Sequence, residues 1–139
     1  MKAYTDLEQS KKLAEILPLE SADMCWTNHC YGSIRSSMTV SSKTIEEYKE
    51  LLTRFGDLTS IDVFYPCWSL AALLEIIPSE IISGEYIINI TEGSDNKWCI
   101  SYDNIDNRNY SFYGLSSSAD NLIDACYEMI IKLHERKLL

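Results

Sequence analysis

Three short runs of alternating apolar residues in the second half of the chain constrain its fold most. Tyr86, Ile88 and Ile90 share one side of the first run, Trp98, Ile100 and Tyr102 one side of the second, and Tyr110 and Phe112 one side of the third. A period of two marks half-buried strands. The segments between them, Glu92-Gly93-Ser94-Asp95-Asn96 and Asp103-Asn104-Ile105-Asp106-Asn107, are rich in the residues that reverse a chain tightly. The pattern predicts an antiparallel meander with one aromatic-rich face. Left bare, such a face is adhesive, so something must cover it.

The cover is expected from the C-terminus. Leu122, Ala125, Cys126, Met129 and Leu133 recur at helical spacing, and Ile123, Ile130 and Ile131 widen the stripe. The helix should run from Ala119 to Lys137, with Ser117 as its cap and Asp120 in its first turn. Three further helices are predicted. Thr5-Asp6-Leu7-Glu8 reads as a capping box opening Asp6–Leu17, which Pro18 stops. Thr44-Ile45-Glu46-Glu47 opens another, with Ile45, Tyr48, Leu51, Leu52 and Phe55 on one face and Gly56 as its stop. Pro66 and Pro78 bracket Cys67–Ile77, a stretch apolar on nearly every side and therefore buried or covered by a partner. Ile61–Tyr65 reads as a short strand or approach segment. Residues 19–43 keep no period and read as loop, with short strands near Trp26 and Met38-Thr39-Val40.

These elements sum to an α+β fold: an antiparallel three- to four-stranded sheet with three or four helices packed mainly on one face. At 139 residues, 46% of them hydrophobic, the chain is expected to form one domain spanning residues 1–139.

Charge narrows the partners. The formal net charge is −9, and the one basic group, Lys132, His134, Arg136 and Lys137, suits the negative end of a helix. Direct nucleic-acid binding is not expected, because phosphate is held by clustered cations. The acids are spread from Asp6 to Glu135, which describes a solvated surface and not a stripe imitating nucleic acid. No apolar run approaches a membrane span, and the polar start Met1–Glu8 lacks a signal-peptide core, so a cytoplasmic protein without membrane contact is expected. Five cysteines cannot all pair internally and read as reduced thiols.

Candidate chemistry is sparse. Cys25, His29 and Cys30 form the one metal-like cluster, but zinc needs a fourth donor, and Cys67, Cys99, Cys126 and His134 are scattered. No nucleophile elbow, phosphate loop or dinucleotide-binding glycine pattern occurs. No catalytic residue, cofactor or metal is therefore expected. Aromatics are favoured at interfaces, and Trp26 and Tyr31, in the irregular segment, are the expected contacts for a protein partner; a homo-oligomer is equally compatible. The reading is a non-enzymatic interaction protein, the alternative a small enzyme or zinc module built on Cys25, His29 and Cys30.

Two segments, Pro66-Cys67-Trp68-Ser69-Leu70-Ala71-Ala72-Leu73-Leu74-Glu75-Ile76-Ile77-Pro78 and Asn121–Leu133, resemble a group of small proteins encoded in gut Bacteroidales genomes, often within prophage or other mobile elements. The group has no assigned activity, so the resemblance implies a setting, an accessory protein of a phage or mobile element, and no site residue. Leu19–Lys43 falls outside it.

Overall fold

The computed structural model describes residues 2–29, 37–59 and 62–139. The chain forms two compact units, Tyr4–Ala72 and Leu73–Leu139 with Lys2 and Ala3. The α+β class and the antiparallel pairing agree with the sequence, but the strands divide between two sheets.

In the first unit, α1 (Leu7–Ala14) is followed by a 3₁₀ turn (Leu19–Ser21), β1 (Met24–Thr27), β2 (Thr39–Ser41), α2 (Ile45–Arg54) and β3 (Phe64–Cys67). The cap of α1 is Asp6, not Thr5: Asp6 accepts from Gln9 N, and Gln9 reaches back to Asp6 N. Thr5 is unavailable because its hydroxyl accepts from Trp68 N at 3.1 Å and lies 2.8 Å from Ser10 Oγ. The strands pair in the order β2-β1-β3. Pro66, expected to open a helix, instead lies in β3 opposite Cys25, at a sheet edge where a missing N–H is tolerated. Successive strand residues face opposite ways. Lys11 of α1 lies over Tyr65, whereas Tyr48 and Lys49 of α2 lie against Phe64, so the two helices cover opposite faces of this sheet. Leu13, Cys25, Leu52 and Cys67 are fully buried. Phe55, expected on the buried stripe of α2, is 65% exposed, because the helix ends before it and Gly56 turns the chain away at φ +71°.

Helix α3 (Leu70–Ile76) starts three residues later than predicted, its first turn held by Ser69 Oγ accepting from Ala72 N. Leu74 remains 38% exposed, so the helix is not buried all round.

In the second unit, β4 (Glu80–Ile81), β5 (Tyr86–Glu92), β6 (Trp98–Asn104) and β7 (Ser111–Ala119) pair consecutively and antiparallel. The first two runs follow the alternation: Ile88 stands opposite Tyr102, and Ile90 opposite Ile100, which faces Ser117 in turn. The third does not: Tyr110 lies before β7 and is 67% exposed, and past a register shift the strand buries Leu115 and Ser117 instead. The C-terminal helix α4 (Leu122–Glu135) covers this face, contacting β6 and β7. Ile100, Tyr102 and Leu115 from the sheet, and Cys126, Met129, Ile130 and Leu133 from the helix, are fully buried. Tyr102 Oη reaches Pro78 O at 2.6 Å, and burial pushes its phenol up to about 12. The helix starts later than expected: Ser117 stays in β7 and donates to Ala125 O at 2.8 Å, leaving the cap to Asn121, which accepts from Asp124 N. The opposite face is polar. On it Asp103 takes hydrogen bonds from Asn89, Ser101 and Ser111.

Candidate functional site

Trp26 lies in the central strand β1, half-buried. Its indole Nε1 donates to Thr5 O at 3.1 Å, and its ring meets Tyr4 edge-on at 5.9 Å. Its polar group is thus committed to the fold, with part of the ring left accessible. Tyr31, the other expected contact, and Cys30 lie outside the described residues.

Cys25 is fully buried, and that burial, with a smaller contribution from Cys67, pushes its thiol up to about 11. Cys67 is raised for the same first reason, its Sγ lying 3.6 Å from Thr5 Oγ1. Both stay protonated at neutral pH. His29 points elsewhere: its Nδ1 lies 3.2 Å from Asp62 Oδ1, with both side chains almost wholly shielded. Asp62 Oδ2 takes Thr59 N at 2.8 Å and Thr59 Oγ1 at 3.3 Å, while His29 N donates to Thr27 Oγ1 and the His29 ring stands edge-on to Tyr48. The pair fastens the approach to β3 against the end of β1, assisted by Asn28, whose Oδ1 accepts from Val63 N at 2.8 Å. Sequence reading missed Asp62, which stands far from His29 along the chain. Its one local signal is the turn to Thr59. Among the described residues no group of three or more His, Cys, Asp or Glu side chains is placed to hold a metal ion.

The concavity that joins apolar surface to free charge lies at the start of α2. Leu19, Ala22, Met24 and Ile45 give it an apolar floor, Glu20, Glu46 and Glu47 an acidic rim, and its volume is about 360 Å³. Local chemistry builds both walls. Pro18 ends the run from α1 and starts the 3₁₀ turn, which Ser21 closes by donating to Pro18 O at 2.6 Å. The same Ser21 hydroxyl accepts from Trp68 Nε1 at 3.0 Å, and Asp23 accepts from Ser69 N at 2.9 Å, so the turn is tied to buried Trp68. On the other wall Thr44 caps α2 by accepting from Glu47 N at 3.2 Å, leaving the Glu46 and Glu47 carboxylates in the first turn. Leu19 is left 55% exposed. Glu20, Glu46 and Glu47 form no ion pair or hydrogen bond through their carboxylates among the described residues. Sequence reading placed weight on the segment that supplies Leu19 and Met24 but chose its aromatics. The signal for the groove was an exposed leucine beside a glutamate straight after Pro18.

Another concavity, about 430 Å³, lies beside Ile82 and Leu138. Its wall is a left-handed turn, Ile82-Ser83-Gly84, with φ of +52°, +53° and +86°. Among the described residues no helix is long and apolar enough to cross a membrane. Comparison with protein-family models, with curated proteins and with solved structures finds no match to this chain.

Proposed function

We propose that this chain is a non-enzymatic interaction protein that seats a protein partner in the groove at the start of α2. The observation that carries this reading is the groove itself: exposed Leu19 above a floor of Ala22, Met24 and Ile45, rimmed by carboxylates that nothing else in the described chain engages. A side chain as large as leucine left half-exposed on a braced turn offers a partner apolar area at little ordering cost. A role as an accessory of a phage or mobile element rests on the resemblance of Pro66–Pro78 and Asn121–Leu133 to proteins encoded there. The acidic balance and the scattered cations support a protein partner over nucleic acid.

The alternative, an enzyme or zinc module on Cys25, His29 and Cys30, has less behind it. A nucleophilic cysteine acts as thiolate, whereas burial pushes the Cys25 thiol up to about 11; Cys25 is fully buried, and the Nδ1 of His29 is turned to Asp62. Metal analysis of freshly purified protein tests it directly, with one equivalent of zinc as the outcome that would restore it.

For the favoured reading, the chain is immobilised and challenged with lysate beside a Leu19→Asp/Ile45→Asp variant of unchanged circular dichroism. A discrete protein kept by the parent and lost by the variant is expected. Identical retention by both would refute the groove as the contact.

A further inference from the structure

We infer that the partner segment entering this groove is cationic, its lysine or arginine stems lying on Leu19, Met24 and Ile45 and its charged heads meeting Glu20, Glu46 and Glu47. The inference rests on the interaction reading above and adds the chemistry of the partner.

Charge complementarity carries it. Four cations elsewhere meet acids, Lys2 with Asp124 at 2.6 Å, Lys11 with Glu8 at 3.6 Å, Lys12 with Glu15 at 2.9 Å and Arg54 with Glu50 at 3.3 Å, and none of them reaches Glu20, Glu46 or Glu47. The groove collects three carboxylates and no lysine or arginine. An anion is repelled there, because Glu46 and Glu47 already complement the positive end of α2 and add charge beyond it. A purely apolar segment would strip water from those carboxylates without replacing it. A second copy of this chain brings another formal charge of −9 toward an already acidic surface. A long basic side chain satisfies floor and rim together, its methylenes packing on apolar surface while its head stays at the wet edge.

The test is an amide-resolved NMR titration of the full chain with a short synthetic leucine–arginine peptide and with the same peptide carrying glutamine for arginine. Expected are saturable shifts concentrated at Ala22, Met24 and Ile45. Affinity for the arginine peptide should exceed that for the glutamine peptide by about tenfold or more. Glu46→Gln/Glu47→Gln should remove most of that advantage, whereas Glu128→Gln/Glu135→Gln, which discharges α4 equally, should leave it. Shifts scattered over the surface, or equal loss in both double variants, would overturn the inference as general attraction to an acidic protein. Equal binding of both peptides in the groove would overturn the cationic partner and leave the docking reading standing. Absence of groove shifts with either peptide, together with identical lysate retention by the Leu19→Asp/Ile45→Asp variant, would remove both.

Discussion

Ile82 is the residue most at odds with its own backbone. A β-branched side chain at φ +52° crowds the following carbonyl, and 41% of the residue faces solvent, so little packing compensates. Ile82→Asn should therefore raise stability by about 1 kcal/mol, read as a higher urea midpoint with unchanged slope. An unchanged or lower midpoint would mean the side chain contributes packing that its exposure conceals. Thr5 shows the opposite relation, a small polar residue with more attached to it than its size suggests. Thr5→Val should cost about 2 kcal/mol, since Trp68 N would lose its acceptor in a buried place. Asp6→Ala, which removes the cap of α1, should cost about 1 kcal/mol. Equal costs for the two would return the capping role to Thr5. The sequence presented both as members of one capping box, and only the long-range tie to Trp68 distinguishes them.

At the scale of elements, legibility followed the length of the pattern. The meander and α4 carry runs long enough for a period to declare itself, and both formed, although α4 starts at Leu122 instead of Ala119 and the third strand runs on to Ala119 and buries Leu115 and Ser117 while Tyr110 stays outside it. Short strands near Trp26 and Met38–Val40 are expected and form as β1 and β2, but β1, β2 and β3 span only three or four residues each, too few for the sequence to show that they join in one sheet. Caps were misplaced wherever a hydroxyl was needed elsewhere: Ser117 was read as starting α4, yet it remains paired with Ile100 in β7. The groove was still less legible, since Leu19 and Ile45 come together only through the 3₁₀ turn and the first turn of α2. Strand β7 has its own sensitive point at Gly114, where φ is +71° and an added Cβ would run into Arg136 Nη2. Gly114→Ala should cost about 1 kcal/mol for the backbone alone. Coupling Gly114→Ala with Arg136→Ala in a double-mutant cycle should recover the part due to Arg136, which lies 5.6 Å from the Phe112 ring. Full additivity would show that the arginine simply moves aside.

For the whole molecule, buried acids set the response to alkali. Cys25 is raised to about 11 and Cys126 to about 12 from an ordinary 9.0, and Tyr102 to about 12 from 10.0, each chiefly by burial. The folded chain thus holds protons that the unfolded chain gives up, and stability falls as pH rises wherever that difference exists. Denaturant midpoints should be flat with respect to these groups below pH 9 and decline beyond it as the unfolded thiols ionise, with Cys126→Ser reducing the slope. A midpoint constant up to about pH 11 would contradict their burial. The two sheets also differ in how their borders are finished. Pro66 removes a donor from the outer strand of one, and Lys132 Nζ occupies the Ser116 carbonyl on the outer strand of the other. The borders at β3 and β7 are thus poor templates for stacking further chains, and Pro66→Val with Lys132→Ala is the pair of changes most apt to start fibril growth along them.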